Sequence, residues 1–153
     1  MTDVVTAEGI PTHAVENIKL ERCVIVLNQS LTPGRAANAA AVIALTIGQR
    51  HPQLVGQPLV DASDVSHPGL IPLGIAVLSG SGTQLRELRQ KAAELGNIDL
   101  IDFPVQGQQT KNYASFQEAV AIIPLVDMDY SGVALVGAKK AISKIVADLA
   151  LFG

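Results

Sequence analysis

The sequence predicts an α/β fold, a three-layer α/β/α sandwich on a mainly parallel sheet. Three observations carry that expectation. Apolar runs of strand length recur at 23–27, 73–78, 98–103 and 132–136. A segment of helical period or helix-forming composition follows each of them. Pro, Gly, Ser and Thr punctuate the junctions at positions suited to turns and helix starts. Strands that alternate with helices, rather than grouping together, suit a parallel sheet with helices over its faces. The 153 residues are 48% hydrophobic but only 3% aromatic, so the core must be built from Ala, Val, Ile and Leu.

The first strand spans Arg22–Asn28 and reads as buried on both faces, because its run of Val and Ile is continuous rather than alternating. Cys23 within it reads as a small core residue; it lacks an electropositive neighbourhood, and Arg22 points to the other face. Thr32 as N-cap and Pro33 as first helical residue open an alanine-rich helix over 33–45 that ends near Gly48. Residues 51–72 are the least regular stretch and hold four of the eight prolines. Within it a short extended piece at 58–60 leads into a turn-rich segment from Asp61 to Gly69. The second strand, 73–78, exits through Ser79-Gly80-Ser81-Gly82-Thr83, which reads as a turn plus N-cap because it lacks a phosphate-loop pattern. In the helix that follows, Leu85, Leu88, Ala92 and Leu95 share one face while Arg86, Glu87, Arg89 and Lys91 look outward, and Gly96 is the expected stop. The third strand, 98–103, is interrupted by Asp99 and Asp102. A polar segment over 104–111 precedes a short helix at 113–122, closed by Pro124. The fourth strand, 132–136, leads into a last amphipathic helix carrying Ile142, Ile145, Val146 and Leu149. Residues 1–18 are expected to form a flexible or loosely docked arm, and 19–153 a single domain.

A single Cys rules out a disulfide framework and a multi-cysteine zinc site, and a net charge of −3 argues against a broad nucleic-acid face. Apolar runs stop well short of the roughly 18 residues of a membrane span. The first 20 residues show no signal-peptide pattern, so a soluble cytoplasmic protein is expected. In an open α/β sheet ligands sit outside the carboxyl ends of parallel strands. Three loops occupy such ends, at 28–35, 79–83 and 102–110, and two of them feed helix N-termini whose free N–H groups favour anions. Arg35 lies in the first turn of its helix, where the dipole disfavours a cation. Either an anionic ligand or a carboxylate such as Asp102 offsets that cost, or Arg35 extends into water. Lys139 and Lys140 repeat the pattern, and share a rim with Arg35 only if the fourth strand runs parallel to the first. Asp61, Asp64 and His67 lie within seven residues, but their spacing fits no metal motif; neither metal nor cofactor is expected.

Two stretches carry a resemblance. Val24-Ile25-Val26-Leu27-Asn28, with Leu31 and Gly34-Arg35-Ala36-Ala37-Asn38-Ala39-Ala40-Ala41, resembles the opening strand and helix of the peptidyl-tRNA hydrolase type II fold. Gly132-Val133-Ala134-Leu135-Val136-Gly137, followed by Ile142-Ser143-Lys144-Ile145-Val146, resembles its last strand and helix. More specifically, the Asn-Ala-Ala-Ala helix, Val60-Asp61-Ala62, His67-Pro68-Gly69, Asp102-Phe103, and Thr110 with Tyr113 resemble a bacterial family known as domain of unknown function 2000, over about residues 20–152. The resemblance implies a mixed four-stranded sheet in order 2-1-4-3 with the last strand antiparallel. The expected ligand site is drawn from Asn28, Arg35, Asn38, Asp61, His67, Asp102 and Thr110; Asp61 and His67, which the family pattern singles out, either line the same cleft or brace a long loop, and bracing is the favoured role of His67. The hydrolases carry a Lys near the helix start, a Gln, and a His three residues after it. Here Arg35 and Asn38 stand in the first two places, and Ala41 in the third. Asp102 and Thr110 match the hydrolases' Asp and Thr across a longer loop, so Asp102, Thr110 and Arg35 are the candidates if the chain is catalytic. Without the His a shared proton-transfer network is incomplete. The expected function is therefore binding of a small polar or anionic ligand. Hydrolysis of peptidyl-tRNA or a related acyl ester is the alternative, and a homo-oligomeric assembly module the second. A tRNA partner enters by analogy only.

Overall fold

The computed structural model describes residues 18–153; the arm expected over 1–18 lies outside them but for Ile18. The architecture is mixed α/β. Four strands, β1 (Arg22–Asn28), β4 (Ile75–Gly80), β5 (Ile98–Pro104) and β6 (Tyr130–Gly137), form one sheet, and β2 (Leu59–Val60) and β3 (Ser66–His67) form a separate small hairpin. The helices are α1 (Pro33–Arg50), α2 (Gly82–Glu94), α3 (Tyr113–Ala121) and α4 (Lys139–Ile145). The main sheet runs β4-β1-β6-β5, with β1 parallel to β4 and β6 antiparallel to both of its neighbours. This is the order that the resemblance implied. The antiparallel β6 puts Lys139 and Lys140 at the opposite rim from Arg35, so the basic helix starts are unrelated.

Alternation along β1 distributes the core. Cys23, Ile25 and Leu27 join α1 through Ala36, Ala39, Ile43 and Ile47 on one face. Val24 and Val26 join Leu85, Leu88 and Ala92 of α2 and Ile142 of α4 on the other. Every residue of β6 is buried, as its place between β1 and β5 requires. Burial pushes the Cys23 thiol up to about 11, which makes it a poor nucleophile and a sound core residue.

Three helix ends differ from the sequence reading. Helix α1 continues past Gly48 to Arg50, because Arg50 and the C-cap His51 are both anchored to Asp99 at the start of β5. At the start of α2 the turn and N-cap read at 79–83 are present, with Ser81 as the cap. Its hydroxyl accepts from the Gln84 N–H while the Gln84 side chain accepts from the Ser81 N–H, a reciprocal box. That helix ends at Glu94 with the Leu95 N–H on the Ala92 carbonyl, so Gly96 is not used as a left-handed stop. Helix α4 stops at Ile145 instead of reaching Leu149. Residues 150–152 leave it to pair with the free edge of β4, Ser79 donating to Ala150 and Phe152 to Val77.

Candidate functional site

The carboxyl ends of β1 and β4 and the turn after β5 meet at the start of α1. Thr32 holds the N-cap position without a side-chain cap bond, and Pro33 follows it. The Asn28 side chain closes the turn out of β1: its Oδ1 accepts from the Ser30 N–H at 3.0 Å and the Ser30 hydroxyl at 2.7 Å. Its Nδ2 donates to the Tyr130 carbonyl at 3.4 Å.

One side chain that sequence reasoning missed gathers the rim. Gln108, in a short helical turn after β5, donates from Nε2 to the Arg35 carbonyl at 2.8 Å and to Asn38 Oδ1 at 3.2 Å. Its Oε1 accepts from the Ser131 hydroxyl at 3.2 Å. Gln108 thus ties the first turns of α1 to the start of β6. Arg35 itself is exposed. Among the described residues its guanidinium has no ion-pair or hydrogen-bond partner, whereas Arg22, Arg50, Arg86 and Arg89 each engage one.

The structure does not bring every expected residue to that rim. Asp102 is turned to the opposite face of the sheet, where its Oδ2 accepts from Arg89 Nε of α2 at 2.7 Å. The same guanidinium lies 5.6 Å from the centre of the Tyr130 ring, and burial of that ring pushes its phenol up from the ordinary value. The period of two explains this: Phe103 packs towards α1, so Asp102 must point away. Asp102 therefore does not neutralise Arg35. Thr110 lies beyond the Gln108 turn, its hydroxyl donating to the Gln106 carbonyl at 2.8 Å.

Asp61 and His67 belong to the β2–β3 hairpin. Asp61 Oδ1 accepts from the Ser63 and Val65 N–H groups at 2.8 and 3.1 Å, and His67 Nε2 lies 2.8 Å from Asp61 Oδ2. This clamps a turn in which Asp64 takes a left-handed backbone, φ 62°. The His67 contact, then the Val65 and Ser63 N–H groups, hold the Asp61 carboxyl below its ordinary value. A depressed carboxyl contributes stability above its unfolded value and loses it as pH falls through the folded one. Acidification is therefore expected to release the Val65 amide from protection only below the usual carboxylate range. Hydrogen exchange followed against pH checks this; loss of protection at the ordinary carboxylate value contradicts it.

A third polar group stands at the amino ends of β1, β4 and β5. Asp99 is buried and accepts from Arg50 Nε and Nη2, both at 2.8 Å, and from His51 Nε2 at 2.7 Å. Since the carboxylate only accepts, Nε2 carries the proton and the buried Nδ1 has no partner. Among the open clefts that flank α1, one of about 660 Å³ lies over β1 and β4, lined by Gln29, Pro33, Ala37, Ala40, Val77 and Phe152. Another, about 470 Å³, separates α1 from α3.

Residues 21–152 match the family described as Protein of unknown function (DUF2000). The chain belongs to the DUF2000 family. The solved structure of a protein of unknown function from Agrobacterium tumefaciens strain C58 is similar in fold, with a TM-score of 0.78 at 19% identity over 86% of this chain and 97% of that one. No curated protein matches the chain. No described helix of this DUF2000 protein is long and apolar enough to cross a membrane.

Proposed function

We propose that this DUF2000 protein binds a small polar or anionic ligand at the start of α1, between Arg35, Asn38 and the Gln108 amide. The fold reading that accompanies it is a three-layer arrangement of the peptidyl-tRNA hydrolase type II kind, in a cytoplasmic bacterial protein. The unpaired Arg35 guanidinium carries the proposal. A cation in the first turn of a helix opposes the dipole, and Asp102, the carboxylate that sequence offered to it, is bound to Arg89 instead. Arg35 is thus free to meet an anion beside the open N–H groups of the first turn and the Asn38 amide. Gln108 holds that turn in place, which limits the reorganisation that binding requires.

A binding role is favoured over ester hydrolysis because Ala41 offers no proton-transfer group and Asp102 faces away. Calorimetric titration with inorganic phosphate tests the reading. Arg35→Gln is expected to weaken binding about tenfold, the size of a lost charge-assisted hydrogen bond. Equal affinity in the two proteins contradicts it. N-acylaminoacyl-tRNA is expected to survive incubation with the protein while an authentic hydrolase cleaves it. Release that is lost in Asp102→Asn overturns the binding role.

A further inference from the structure

We infer that the rim at Arg35 and the cleft between α1 and α3 are two ends of one site, and that its ligand is an amphiphilic anion. The charged head lies on the rim and an apolar chain fills the cleft. The inference rests on the rim reading above and names its ligand class.

The cleft, about 470 Å³, is within the range of small-molecule sites. Val42 and Ile43 of α1, Phe103 of β5, and Phe116, Val120 and Ala121 of α3 make its walls. Helix α3 has no fully buried residue: Phe116 and Val120 are only half-covered, and Tyr113 is exposed. An apolar wall left partly wet gains from any apolar occupant.

Two features join this cleft to the rim. On α1, Arg35, Val42 and Thr46 fall on one line at helical spacing with Asn38 beside it, so the cation stands about 10 Å along the helix from the mouth of the cleft. Off the helix, Gly107 packs so closely under Phe103 and Phe116 that a Cβ there would meet Phe103 Cε1 at 2.1 Å. The next residue, Gln108, bonds Arg35 and Asn38. One short turn therefore supports both the polar and the apolar end.

That polarity selects the occupant. A wholly apolar ligand leaves the cation unused, and a bare anion leaves the cleft empty. An anionic head on an aliphatic chain satisfies both ends.

Calorimetric titration of the full chain with tetradecanoate, tetradecanol and inorganic phosphate tests the inference, with Arg35→Gln and Ala121→Trp as variants. Ala121 is exposed at the end of α3, so the indole fills the cleft from outside the core; Val42→Gln repeats the test from α1 if that variant does not fold. Tetradecanoate, long enough to reach from the rim into the cleft, is expected to bind one to one and at least tenfold more tightly than tetradecanol. Arg35→Gln removes that advantage, and Ala121→Trp weakens both chain-bearing probes at least tenfold without changing phosphate affinity. If Ala121→Trp and Val42→Gln both leave tetradecanoate unchanged, the cleft inference fails while Arg35-dependent phosphate binding upholds the rim. If Arg35→Gln changes neither tetradecanoate nor phosphate, both readings fail. Wild-type dimers in sedimentation equilibrium that Ala121→Trp converts to monomers would identify a second copy as the occupant and overturn the inference.

Discussion

Replacing Asp99 with alanine is expected to destabilise the fold by about 3–5 kcal/mol, the usual consequence of breaking a buried ion pair from one side. Asp99 is only 6% exposed and accepts three hydrogen bonds, two from Arg50 and one from the fully buried His51. Its removal takes away the carboxylate that Arg50 and His51 share and leaves a buried imidazole whose other nitrogen already lacks a partner. The contacts also join the last turn of α1 to the first residues of β5, so the loss falls on the junction that sets the length of α1. Urea unfolding measures it, with Asp129→Ala as the comparison. Asp129 pairs with Arg86 in the open, where both side chains are about half exposed, and is expected to change stability by less than about 1 kcal/mol. Similar midpoints for the two variants contradict this account of Asp99.

Gly137→Ala is expected to be the other severe change. Gly137 ends β6 at φ +153°, a backbone that side chains rarely adopt, and a Cβ there would lie 2.3 Å from the Asn97 carbonyl oxygen. The neighbour is backbone at the start of β5, which cannot rotate away. Strain of about 1–3 kcal/mol from the dihedral and about 1–3 kcal/mol from overpacking give a loss of about 2–6 kcal/mol. Gly96→Ala is the control: nothing lies within 4 Å of its Cβ position and its backbone is ordinary, so it is expected to be neutral or slightly stabilising. A melting temperature for Gly137→Ala within a few degrees of the parent would show that β5 shifts without resistance.

The sheet was legible because its strands advertise themselves. A chain poor in aromatics fills its core with β-branched runs bounded by polar residues, and Arg22–Asn28 was legible to the residue. Helix starts were legible at Thr32-Pro33, where the cap chemistry is local. Endings were less so, because tertiary contacts decide them. Asp99 extends α1 beyond Gly48, and the pairing of residues 150–152 with β4 shortens α4. The mixed strand order came from the resemblance and not from the periodicity, which suggested a mainly parallel sheet.

The candidate site was legible only in part. Arg35 and Asn38 were found because one helix carries them both, and the odd cation in a first turn is a local signal. Asp102 was assigned to the rim by its place at a strand end. It lies three positions after Asp99, an odd step along a strand, so the two must point to opposite faces, and each found a different arginine. Gln108 left no signal in the sequence, since a glutamine in a polar loop looks like any other until its partners, 23 to 73 residues away, are folded against it.

The central claim is that an anion binds at the start of α1. Titrating isotope-labelled protein with inorganic phosphate, and following amide resonances, tests it most directly. The account predicts saturable shifts confined to the backbone amides of Gly34 and Arg35 and the side-chain amides of Asn38 and Gln108, absent in Arg35→Gln. Shifts centred on Arg86 and Arg89 instead, or none at the start of α1, would contradict it.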